Sequence, residues 1–166
     1  MSEILLRNSG RKTLVDASDL TLFGESIWHE DNYGYAVRRE WVRGGKGKQV
    51  SVKLHRLIIG AKPGQFVDHI NRNRLDNRKS NLRITTHAQN LWNASAKKNN
   101  TSGFKGVSVD KRRLHQKYPY KAEIMVNRKK VYLGSFSTAQ EASLAYNEAA
   151  KKYFGEFACL NPVRDS

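Results

Sequence analysis

The stretch "VDHINRNRLDNRKSNLR", residues 67–83, excludes most of what a chain can build there. Its Asn and Arg runs carry neither the 3.6-residue apolar period of a helix nor the alternation of a half-buried strand. Yet Val67, Ile70, Leu75, Leu82 and Ile84 recur too regularly for a linker. An ordered loop is therefore expected, pinned by those apolar anchors and entered from a short strand, "FVDHI", that places Asp68 and His69 at its end.

The flanks supply the elements such a loop needs. Tyr35, Val37, Arg39 and Trp41 alternate, "GGKG" at 44–47 turns the chain, and Val50, Val52 and Leu54 alternate on the return, which predicts a β-hairpin. "HRLIIG" reads as a short buried element closed by Gly60, and "KPGQ" as a turn. After the loop, "TTHAQNLWNASAKK" predicts a helix from about Thr86 to Lys97 with an inner face of Ala88, Leu91, Trp92 and Ala96. Thr85 or Thr86 is its N-cap, and Gln89 stands at capping-box distance.

Residues 98–103 form a polar hinge between an N-terminal domain, 1–97 with its core at about 50–97, and a C-terminal domain, 104–166. In the latter, "FKGVSVD", "PYKAEIMV" and "KKVYLGSF" read as three strands, the last two joined by a tight turn at "NRKK". The helix "STAQEASLAYNEAAKKYFG" follows, capped by Ser137 or Thr138 with Gln140 or Glu141 and stopped at Gly155. Its apolar face is Ala142, Ala145, Tyr146, Ala149, Ala150 and Tyr153, with Tyr120, Tyr132 and Phe136 placed in the core below. The fold class is α+β.

Composition says what the chain works against. Thirty Lys and Arg against fifteen Asp and Glu give a net charge of +15, spread over all parts of the sequence. That imbalance points to a polyanion, with nucleic acid foremost. The sequence has no apolar run of about 20 residues and no basic amphipathic helix, so no membrane partner is expected. "MSEILLRNSGRK" lacks the apolar segment of a signal peptide, so a soluble intracellular protein is expected. A single cysteine, Cys159, excludes a disulfide framework within the chain and any cysteine-based zinc site, and reads as a buried filler. A metal would have to be held by oxygen and imidazole.

His69, Asn81 and Asn90 are spaced by 12 and 9 residues, with Asp68 directly before the histidine. This pattern, preceded by "LHRLI", resembles the HNH endonuclease family and its ββα-metal motif. The resemblance implies that His69 is the general base and that Asn81 orders the loop as the second catalytic-site residue. It also implies that Asp68 and Asn90 hold a divalent metal: Mg2+, with Mn2+ as the alternative and no zinc. Such chemistry suits phosphodiester hydrolysis, which needs a water deprotonated near neutral pH and a cation on the leaving oxygen. His87, one turn before Asn90, is the rival ligand, Asn93 a supporting residue, and His55 a structural one. Arg72, Arg74, Arg78, Lys79 and Arg83 are expected along the DNA backbone.

Residues 101–161, through "GFKGVSV", "YKAEI", "YLGSFSTAQEASLAYNEAA" and "FGEFACLN", resemble the Apetala-type DNA-binding domain of plant ethylene-response factors. That resemblance implies a three-stranded sheet laid into the major groove, with Lys105, Arg112, Arg113, Lys121, Arg128 and Lys130 as contact residues. Together the two resemblances imply a metal-dependent double-stranded DNA endonuclease of the phage homing class, needing no small-molecule cofactor. It would act in the cytoplasm of a bacterial host as a monomer or a DNA-assembled dimer. The competing readings are a DNA-binding regulator on an inactive nuclease scaffold and a nonspecific DNA-processing nuclease.

Overall fold

The computed structural model describes residues 2–42, 47–97, 99–109 and 117–163. The chain divides into two compact units, residues 1–90 and 91–166. The division falls inside a helix, between Asn90 and Leu91.

The first unit opens with a hairpin, β1 (Ser2–Leu5) against β2 (Lys12–Val15), followed by α1 (Ala17–Phe23). A second sheet holds β3 (His29–Glu30), β4 (Ala36–Trp41) and β5 (Gln49–Lys53), antiparallel in that order. β4 and β5 are the hairpin expected from the alternation, while Gly44 to Lys46 of its turn lie outside the described residues. The buried element "HRLIIG" is a helix, α2 (Leu54–Ile58). β6 (Phe66–His69) then pairs with a strand the apolar pattern had not revealed, β7 (Leu82–Thr85), so that Asp68 faces Arg83 and His69 faces Leu82 across the ladder. The core beneath is Ile4, Leu6, Val15, Trp28, Ala36, Leu54, Ile58, Leu75 and Leu82.

α3 (His87–Asn93) begins where expected. Thr86 Oγ1 accepts from Gln89 N at 3.2 Å, and Gln89 Oε1 accepts from Thr86 N at 2.8 Å, a complete capping box. It ends four residues before the expected Lys97. The ammonium of Lys105 donates to the carbonyls of Leu91 (3.3 Å), Trp92 (2.6 Å) and Ala94 (2.6 Å), and Cys159 N also bonds Trp92 O, so these carbonyls are drawn out of the helical ladder. Leu91, placed on the inner face from the sequence, is exposed.

The second unit contains an antiparallel sheet, β8 (Val107–Val109), β9 (Tyr120–Val126) and β10 (Lys129–Phe136), packed under α4 (Ala139–Phe154). Asn127 and Arg128, both at positive φ, make the two-residue turn between β9 and β10. Thr138 and Glu141 form the α4 capping box. Ala142 and Ala150 are fully buried, so the helix lies close to the sheet. Its inner face differs from the expected one, with Ser143 and Phe154 also buried. Tyr153 is exposed, and Asn147 is buried instead, exchanging hydrogen bonds with the backbone of Asn161 (3.0 and 2.7 Å) to fasten the tail. Tyr132 is exposed rather than in the core, because the β10 alternation aims it away from α4 ahead of the irregularity before Gly134.

One glycine of this unit is dictated by contact. Gly106 sits at φ +73, and a Cβ there would fall 2.0 Å from Tyr146 Cδ2 and 2.8 Å from Glu123 O. Gly106→Ala is expected to destabilise the second unit by about 3 kcal/mol, combining overpacking with backbone strain. Urea unfolding followed by far-UV circular dichroism measures it.

Candidate active site

The loop at 70–81 is ordered chiefly by polar groups. Asn81 Oδ1 accepts from Asn71 N (3.0 Å) while its Nδ2 donates to Asp76 O (2.7 Å), spanning the loop from both ends. Asp76, buried, takes Asn71 Nδ2 (2.8 Å) and a bidentate pair from Arg78 (2.7 and 2.6 Å). Arg78 thereby holds the Asp76 carboxyl below its ordinary range. Leu75 and Leu82 are buried as anchors and Val67 is half-buried, but Ile70 and Ile84 are exposed. Amide side chains take over the pinning expected of those two, since a tight turn offers its backbone N–H and C=O groups few ladder partners.

At the end of β6, Asp68 and His69 are both buried, and strand alternation sends them to opposite faces. His69 Nε2 lies 3.0 Å from Asn77 Oδ1. Its ring stands 5.1 Å from His55, edge-on, and 6.0 Å from Tyr35. Asp68 Oδ2 is engaged by Arg83 Nε (3.0 Å) and Nη2 (2.9 Å). Asn90 lines a cleft of about 340 Å³ together with Tyr35, Lys53, His55, Arg56 and Val67. Above Tyr35 lie two cations, Lys53 Nζ at 4.4 Å from the ring centre and Arg74 at 4.9 Å. His87, the rival ligand, is exposed and packs on Phe66.

The cations expected along DNA fall into two groups. Arg72 and Arg74 are exposed on the loop. Arg74 donates to Tyr33 O, and Arg72 adopts φ +65, a conformation costing a residue with a Cβ about 1 kcal/mol. Arg78, Lys79 and Arg83 are paired with Asp76 of the loop, Asp19 of α1 and Asp68 of β6. In the second unit, Lys105 is off the sheet and engaged with helix carbonyls, which corrects its placement on the sheet face. Lys121 and Lys130 are on the face away from α4, with Lys130 3.2 Å from Glu123, and Arg128 is in the exposed turn. Arg112 and Arg113 lie outside the described residues.

Burial dominates the electrostatics of the two imidazoles. It pushes His55 down to about 3, helped by the positive potential of Lys53 and Arg56 and by coupling to His69. It also lowers His69, opposed by the Asn77 hydrogen bond and by Asp68 and Asp76. In the unfolded chain both would protonate near pH 6.5. Stability is therefore fully present above that pH and is lost as pH falls toward 3, His55 alone accounting for about 3 kcal/mol by pH 4. Thermal melts at pH 7.5 and pH 4.5 should show the fall, and His55→Phe should flatten it.

Comparison with known proteins places this geometry. Residues 52–91, which contain β6, β7, the loop and most of α3, match the HNH endonuclease family. A protein of Acanthamoeba polyphaga mimivirus, described as an uncharacterized HNH endonuclease, is 33% identical over 144 residues, covering 80% of this chain and 72% of the relative. The chain belongs to the HNH endonuclease family. As an HNH endonuclease it is a nuclease, a hydrolase whose substrate is nucleic acid. Protein 3.8 of Escherichia phage T7 is 44% identical over 78 residues, 46% of this chain and 64% of the relative. The dehydration-responsive element-binding protein 2E of Oryza sativa subsp. japonica is 56% identical over 34 residues, 20% of this endonuclease and 11% of the relative. No solved structure matches. Among the described residues, no helix is long and apolar enough to cross a membrane.

Three residues at the site carried little signal in the sequence. Tyr35 was legible only as one of a hairpin's alternating residues, and Thr13 lies in a strand too short to stand out. Asn77 is one of several asparagines in the loop, and no spacing sets it apart from them.

Proposed function

We propose that the chain is a magnesium-dependent endonuclease that cuts double-stranded DNA at a recognised site, of the phage homing class, acting in the host cytoplasm. The observation that carries the reading is His69 itself: a buried imidazole at a strand end, fixed by a hydrogen bond, beside Asp68 and beneath an arginine-bearing loop. β6, β7 and α3 then correspond to the ββα-metal arrangement of the family.

In this reading His69 accepts the proton of the attacking water, the water oxygen adds to phosphorus, and one P–O ester bond breaks as the departing oxygen gains a proton. Asn81 keeps the loop closed around that position. Asp68 and Asn90 offer one carboxylate and one amide oxygen, a hard donor set that suits magnesium or manganese and not zinc. The ion held there would supply Lewis-acid stabilisation of the departing oxygen. Arg72 and Arg74 meet backbone phosphates, and the strained φ of Arg72 supports a use for its side chain. The second unit reads as an Apetala-like DNA-binding domain, supported by its sheet-and-helix order and by the similarity to the Oryza sativa protein, whose name describes element binding. It would present Lys121, Arg128 and Lys130 to DNA.

The test is incubation of supercoiled and linear DNA with and without magnesium, with the cut ends mapped. Discrete ends that require the ion are expected. Asp68→Ala should move half-maximal activity to about tenfold higher metal. Scattered ends would leave a nonspecific nuclease, and no cutting an inactive scaffold.

A further inference from the structure

A chain of buried hydrogen bonds leads away from His69 into the N-terminal hairpin. Asn77 Oδ1 lies 3.0 Å from His69 Nε2, Asn77 Nδ2 donates to Thr13 Oγ1 at 2.7 Å, and Thr13 Oγ1 donates to the backbone carbonyl of Leu75 at 2.8 Å. Thr13 and Asn77 are wholly buried. The backbones that carry them are tied together as well: Leu14 N donates to Leu75 O (2.7 Å), Asn77 N donates to Leu14 O (2.8 Å), and Leu14 and Asp76 form a parallel bridge.

The terminal carbonyl fixes the direction of every proton in the chain. A carbonyl only accepts, so the Thr13 hydroxyl spends its hydrogen on Leu75 and can only accept from Asn77. Asn77 must then present its NH2 to Thr13 and its oxygen to the histidine. An amide oxygen cannot donate, so His69 must present Nε2–H, and the lone pair of the neutral ring falls on Nδ1. The orientation of the amide and the tautomer of the imidazole are both forced by a residue on β2, which lies outside the segment matching the family.

We propose that Thr13 and Asn77 are positioning residues for cleavage, a relay that locks His69 in the Nε2–H tautomer so that Nδ1 receives the proton of the attacking water. The proposal rests on the reading of His69 as general base. It makes the N-terminal hairpin part of the machinery that aims the imidazole.

Two measurements test it. In the full-length chain with 15N-labelled histidine, two-bond proton–nitrogen spectra at a single pH should show the neutral His69 ring, assigned by its loss in His69→Gln, carrying hydrogen on Nε2. Hydrogen on Nδ1 would overturn the proposal. In single-turnover cleavage, Thr13→Val, which keeps the volume and removes the hydroxyl, should lower the cleavage rate by about tenfold with DNA affinity within about twofold. Thr13→Ser, which keeps the hydroxyl, should stay within about threefold of the parent. Parent-level cleavage by Thr13→Val, or a loss in Thr13→Ser as large as in Thr13→Val, would overturn the relay. Parent-level cleavage by His69→Ala would instead overturn the base assignment and the relay's catalytic role with it, while leaving the tautomer spectrum of the parent as it was.

Discussion

Replacing His69 by alanine should lower DNA cleavage by about 10²–10⁴-fold while leaving DNA affinity nearly unchanged. In the proposed role the base acts only when the water is deprotonated in the transition state, so its loss falls on the rate and not on docking. The surroundings sharpen the expectation. His69 is buried and its Nε2 is held by Asn77, while burial pushes the ring beside it, His55, down to about 3, too weak a base to take its place near neutral pH. Single-turnover cleavage of a labelled duplex, alongside equilibrium binding of the same duplex in calcium, separates the two quantities. Cleavage by His69→Ala within about threefold of the parent would contradict the assignment.

DNA affinity should fall steeply with salt. The net charge of +15 is spread along the sequence, and cations of both units face solvent, among them Arg72, Arg74, Lys121 and Arg128. With about six to ten phosphate contacts the log–log slope would be about −5 to −9, a loss of roughly 10³–10⁵ in affinity between 50 and 200 mM salt. Arg78, Lys79 and Arg83 each also meet a carboxylate, so each is expected to move the slope less than an unpaired cation would. Substituting any one of Arg72, Arg74 or Lys121 by Gln should shallow the slope by about one, whereas Arg83→Gln should act mainly through Asp68. Fluorescence anisotropy across a salt series measures this, and a flat series would refute a phosphate-driven interface.

The parts of the fold that were legible in sequence are those governed by local rules. The capping boxes at Thr86 and Thr138, the β4–β5 alternation and the turn at Asn127 and Arg128 each depend on residues within a few positions of one another. What escaped notice depends on contacts far along the chain. α3 stops at Asn93 because Lys105 takes its carbonyls, and nothing in "NASAKK" announces that. β7 is only four residues long and half polar, so its pairing with β6 is visible only once Leu82 is seen to meet His69 across the ladder. Ile70 and Ile84 looked like anchors because apolar spacing reports a periodic opportunity for burial and not the burial itself.

The candidate site divides in the same way. Asp68, His69, Asn81 and Asn90 follow a spacing that a resemblance can carry. Thr13 lies 64 residues from its partner Asn77, and no pattern in a single sequence links a threonine to an asparagine at that separation. The pairing of Arg83 with Asp68 was hidden for a different reason: a basic residue in a basic loop reads as a phosphate contact until the cross-strand register shows a carboxylate directly opposite.

The amide-built loop also bears on how such a protein diverges. Asn71, Asp76, Asn77 and Asn81 hold its shape from within, while Ile70, Arg72 and Arg74 occupy the outer positions and take no part in the core of the first unit. Shape and contact chemistry are thus assigned to separate residues. A lineage can exchange the outer side chains one at a time, drifting in what the loop contacts, without moving the imidazole of His69 beneath it.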